Sequence, residues 1–131
     1  MSKICTNVSQ SKKFIELGID VNTADMWWAE RYKGYTTMDY KYIIDNTPYY
    51  YLSLTKPSND NYSQDTINDI PAWSLTALIS ILPKSARLER GSSTDLCCVN
   101  LPVELKCSDW YLDPIDAAFE IVCWLLENKM L

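Results

Sequence analysis

From Cys97 to Cys107 apolar and polar residues alternate. Cys97, Val99, Leu101, Val103, Leu105 and Cys107 fall on odd positions; Cys98, Asn100, Pro102, Glu104 and Lys106 fall on even ones. A period of two is the mark of a strand with one buried face. Pro102 has no N–H to give a ladder, so the run predicts an edge strand or a second small hairpin bent near 102. Just upstream, Arg87-Leu88-Glu89-Arg90 also alternates, and Gly91-Ser92-Ser93-Thr94 predicts the turn between the two segments.

The period changes to that of a helix after Asp113. Ile115, Ala118, Phe119, Val122, Leu125 and Leu126 form one stripe, with Asp116, Glu120, Cys123 and Glu127 opposite. Asp113 suits the N-cap, Pro114 the first turn, and Asp116 the positive helix end. The five large apolar residues of that stripe offer roughly 10 kcal/mol of burial before entropy, so this helix needs a sheet or helix partner. A second helix is predicted between Pro71, read as its first residue, and Pro83, read as its stop. Leu75, Leu78, Ile79 and Leu82 give it a core stripe. A third is predicted near the N-terminus, from a cap at Ser9 to Leu17, with Gly18 at the C-terminal cap position.

The middle of the chain is less regular. Met26-Trp27-Trp28 could open a helix after Thr23 or start a strand; bulky rings favour a strand over 27–32. Lys33-Gly34 then reads as a hairpin turn and 35–44 as the returning strand. Asp45-Asn46-Thr47-Pro48 reads as a turn, 49–54 as a strand, and 56–68 as a polar loop of about a dozen residues. The layout is helix, strands, helix, strands, helix, with hairpin connections. It predicts an α+β domain spanning 1–131, two-layered, with a mostly antiparallel sheet of four to six strands and about three helices, the C-terminal one packed on the sheet.

Composition narrows the chemistry. The 131 residues contain no histidine, which removes the commonest general base, zinc ligand and partner for a nucleophile. The three glycines, Gly18, Gly34 and Gly91, are too far apart for a phosphate-cradling loop. Net charge is −5, so nucleic acid is not an expected partner. No apolar run has the length of a membrane span, and the N-terminus lacks the apolar core of an export signal. The five cysteines then read as reduced thiols in a cytoplasmic protein. Their spacing lacks the close pairs of a zinc site, and Cys97, Cys107 and Cys123 read as small core residues. No metal and no cofactor is expected. Asp113, Asp116 and Glu120 cluster at a helix start, where capping explains them better than acid–base chemistry.

What stands out is the aromatic set. Trp27, Trp28, Tyr32, Tyr35, Tyr40, Tyr42, Tyr49, Tyr50 and Tyr51 lie within 25 positions. On a sheet, alternation sends about half of them to each face. Tyr and Trp pair an apolar body with a polar tip, which suits contact surfaces. The candidate binding residues are Trp27, Trp28, Tyr32, Tyr35, Tyr49, Tyr50 and Tyr51, with Arg31 and Arg87 as charges. Lys33, Lys41 and Arg90 are further cations near the turns.

Three stretches carry a resemblance. They are Thr23-Ala24-Asp25-Met26; Pro71-Ala72-Trp73-Ser74-Leu75 with Leu78 and Pro83; and Asp113-Pro114 with Ala117 and Trp124-Leu125-Leu126-Glu127-Asn128. Together they resemble small uncharacterised proteins of gut Bacteroidales genomes, their phages and integrated elements. The resemblance implies a mobile-element setting and, by analogy, an acidic accessory protein that binds and inhibits a target. The expected function is therefore non-enzymatic binding of a protein partner or of a second copy as a homodimer. The alternative is a sponge for a nucleotide, with a base stacked on the rings and phosphate on the arginines. A hydrolase built on carboxylates ranks last.

Overall fold

The N-terminal segment is stitched into the middle of the chain by Thr6. Its N–H donates to the Trp73 carbonyl at 2.9 Å, and its hydroxyl accepts from the Trp73 N–H at 3.1 Å. The same hydroxyl bonds Ser11 at 2.8 Å, deep inside. Around this crossing the computed structural model describes residues 3–36, 38–40, 42–55 and 66–131. Among these residues it is an α+β arrangement of three α-helices and six antiparallel strands. In chain order these are α1 (Val8–Glu16), β1 (Met26–Thr36), β2 (Tyr42–Ser53), β3 (Thr66–Ala72), α2 (Leu75–Ile81), β4 (Arg87–Arg90), β5 (Cys97–Leu101), β6 (Lys106–Cys107) and α3 (Pro114–Glu127). The strands divide into two sheets of order β2-β1-β3 and β4-β5-β6.

The main core lies between the three helices and β5. Phe14, Trp73, Leu78, Val99, Leu101, Ile115, Ile121, Val122 and Leu125 are sealed there. Phe14 meets Trp73 edge-on at 5.2 Å, and the Trp73 indole N–H donates to Thr23 Oγ1 at 2.9 Å. Burying an indole requires such a partner. A smaller cluster of Cys5, Met26 and Ala72, with Trp28 and Leu52 against it, joins the N-terminal segment to the first sheet. α3 packs on β5 as its stripe predicts, and Asp113 caps it through the Ile115 N–H at 2.9 Å.

The departures from expectation have local causes. Asn7, not Ser9, caps α1, in a reciprocal capping box with Gln10. Lys33-Gly34 is not a turn. β1 runs on to Thr36, and the chain reverses around Met38–Tyr40, where Tyr40 takes a φ of 60°. Asp45-Asn46-Thr47-Pro48 is not a turn either. Its extra residues form a bulge: Tyr32 pairs with Pro48 and Gly34 with Ile44, so two steps on β1 match four on β2. β2 is an edge strand, where a proline and a bulge are tolerated. Pro71 is in edge strand β3 opposite Trp27, and α2 starts later, at the Ser74 cap. Ile79 is exposed rather than part of the α2 core stripe. Of the expected polar loop, 56–65 lies outside the described residues, and 66–68 belongs to β3.

Candidate functional site

The register of the first sheet sorts the candidate rings between its faces. Trp27, Ala29 and Arg31 of β1 stand opposite Ser53, Tyr51 and Tyr49 of β2, and Asp69 and Pro71 of β3 pair with Ala29 and Trp27. Directly paired residues share a face. One face therefore carries Trp27, Arg31, Tyr49, Tyr51 and Asp69. The other carries Trp28, Tyr32 and Tyr50 with Glu30, Leu52 and Ile70.

The second of these faces is partly structural. Trp28 packs on the small core, and its indole N–H donates to the Thr6 carbonyl at 2.8 Å. The Tyr50 hydroxyl donates to Glu30 Oε1 at 3.2 Å. Burial first, and then the Glu30 carboxylate, push the Tyr50 phenol upward. Tyr32 is half-buried beside the bulge.

The first face has a different character. Arg31 is only 5% exposed, and its guanidinium meets Asp69 at 3.1 Å. The same group donates to the Glu30 carbonyl at 3.0 Å and lies 5.5 Å from the centre of the Tyr51 ring. This charge is thus held by an acid, a carbonyl and a ring at once, which restrains the guanidinium. Trp27 and Tyr49 are half-buried around it, and Tyr51 is 45% exposed. The result is a patch of large amphipathic rings with an ordered polar centre, the composition that dominates binding energy at protein interfaces.

The other candidates lie apart. Tyr35 enters the register opposite Ile43, and its side chain, like those of Lys33 and Tyr42, lies outside the described residues, as does Lys41. Tyr40 is exposed at the turn. Arg87 is exposed on β4 in the second sheet, beside a cavity of about 210 Å³ lined by Ile79, Leu82, Leu88 and Val99. It is not brought to the rings. Asp69 is the residue sequence reading missed. An acid at the end of a polar stretch gives no sign of an arginine partner across a strand.

The acidic cluster on α3 is fully employed. Asp113 takes the Lys3 N–H at 2.5 Å as well as its cap bond, and Asp116 takes the Lys3 ammonium and the Gln10 amide. Glu120 accepts from the Asp109 N–H at 3.1 Å and from the Tyr111 hydroxyl at 2.7 Å. These are ties between segments, not a pair of opposed carboxylates. Among the described residues no three Cys, Asp or Glu side chains are grouped to hold a metal ion, and no helix is long and apolar enough to cross a membrane. Cys107, expected in the core, is exposed, because the chain turns over at 102–105 before reaching it. No protein-family model, no curated protein and no solved structure matches this chain.

Proposed function

We propose that this is a non-enzymatic binding protein, an accessory of a phage or mobile element, that engages a protein partner through the Trp27–Tyr49–Tyr51 face. The observation that carries the reading is the cluster of these rings on one face around the ordered Arg31–Asp69 pair. Rigid rings supply contact area at small entropic cost, and a guanidinium already paired needs little further ordering. The nucleotide reading has less support, because Arg87 stands in the other sheet and Arg31 is already engaged by Asp69.

The test uses the immobilised full chain and its Trp27→Ala and Tyr51→Ala variants. Proteins retained from a lysate of the native host are quantified by mass spectrometry, and the mass of the purified protein is measured by light scattering. A partner, or a second copy, is expected on the wild type and at least tenfold depleted on the variants, equivalent to about 1.4 kcal/mol. Identical capture and mass for folded wild type and variants would contradict the reading. A thermal-shift screen covers the alternative, since a bound nucleotide at a millimolar level must raise the melting temperature.

A further inference from the structure

The second sheet brings two thiols together. Cys98 on β5 and Cys107 on β6 lie with their sulfurs 3.6 Å apart, the Cys107 S–H directed at Cys98 Sγ. The neighbouring pair holds them in place: the Ser108 N–H donates to the Val99 carbonyl and the Val99 N–H to Ser108 Oγ, both at 2.9 Å. The two cysteines differ in access. Cys98 is 1% exposed, whereas the Cys107 side chain is open to solvent. The other thiols are placed elsewhere. Cys97 points to the opposite face of β5, where its S–H donates to the Tyr111 carbonyl at 3.2 Å, Cys123 is on α3, and Cys5 is buried in the N-terminal segment.

We propose that Cys98 and Cys107 form a redox-active dithiol, in which Cys107 reacts first and Cys98 resolves the mixed disulfide, closing a disulfide across the β5–β6 hairpin. The co-reactant is a low-molecular-weight disulfide. The Cys107 sulfur, having lost its proton to solvent, attacks one sulfur of that disulfide, forms a mixed disulfide and expels the first thiolate. Cys98, having lost its own proton, then attacks Cys107 Sγ and expels the second thiolate. Both leaving thiolates take up a proton. The protein dithiol loses two electrons, and the small disulfide gains them.

Access sets this order, and burial reinforces it, since it is the main cause that pushes the Cys98 thiol up to about 12. The sulfurs must close by about 1.5 Å to reach bonding distance. Rotation of the exposed Cys107 side chain can supply that motion without disturbing the core face of β5.

The test exposes the folded, reduced full chain to excess oxidised glutathione and follows it by intact mass and tryptic mapping. The expected product is two hydrogens lighter than the starting protein, with fragment 91–106 joined to fragment 107–129. Cys97→Ser should give the same link. Cys98→Ser, or Cys98→Ala should serine unfold the site, is expected to stop as a single glutathione adduct on Cys107. Cys107→Ser should give neither. A wild type that halts at the Cys107 adduct, fails to react, or forms a link that survives in the Cys98 variants would overturn the proposal.

Discussion

Leu105 holds a φ of 54° in the turn between β5 and β6, with its side chain 92% exposed. A left-handed conformation costs an L-residue roughly 1–2 kcal/mol, and here no buried contact offsets it. Glycine is the residue this hairpin position favours. Leu105→Gly should therefore raise stability by about 1 kcal/mol, read as a higher denaturant midpoint with an unchanged slope. An equal or lower midpoint would mean that the leucine makes a contact of value. The sequence placed Leu105 on the same face as Cys97 and Val99, because strict alternation carries no mark of a reversal except Pro102. Proline signalled the bend; nothing signalled that an exposed leucine would hold the turn. The same reversal explains why Cys107 is outside, although its parity put it inside.

Protonation belongs to the same scale. Burial pushes the thiols of Cys5 and Cys123 up to about 11, and the bond to Glu120, ahead of burial, pushes the Tyr111 phenol up to about 12. The folded chain thus holds these protons more tightly than the unfolded chain, whose thiols and phenols release theirs near 9 and 10. Groups with raised folded values contribute their stability below the unfolded value and lose it as pH climbs through the folded one. The melting temperature should be level around neutrality and fall between about pH 9 and pH 12. Tyr111→Phe should remove the phenol's share of that decline. A melting temperature flat to pH 12 would be inconsistent with these placements.

At the scale of elements, α3 is the seal of the main core. Ile115, Ala118, Ile121, Val122 and Leu125 are buried against β5 and α2, and the Asp113 and Asp116 ties hold the N-terminal segment to its first turn. A chain ending at Leu112 should lose cooperative unfolding and its near-ultraviolet signal; a soluble fragment with a sharp melting transition would contradict this. The helix was legible because cap, proline, stripe and charge all agree along its length. The first sheet was not. Its turn-forming residues are taken up by a bulge on an edge strand, and its third strand begins in a polar stretch and ends past Pro71, a residue that also suits a helix start. Local chemistry was the same in either reading, and only pairing with β1 decided it.

Over the whole molecule, the helices and β5 make the core, and the first sheet extends from it by way of the Thr6–Trp73 crossing and the Trp28 cluster. Sequence reading anticipated an α+β chain whose rings divide between two faces, and the register shows that division. It did not separate the strands into two sheets, since hairpin signals do not report which strands share a ladder. That separation is what parts Arg87 from the rings and leaves Trp27, Tyr49 and Tyr51 grouped with Arg31 and Asp69. The most direct measurement is photo-crosslinking in the native host, with a photoreactive phenylalanine analogue placed at Tyr51 and, as control, at the exposed Leu112. A discrete protein adduct at Tyr51, absent at Leu112, is the expected result. No adduct at Tyr51, or the same adduct from both positions, would contradict the assignment of binding to the ring-bearing face.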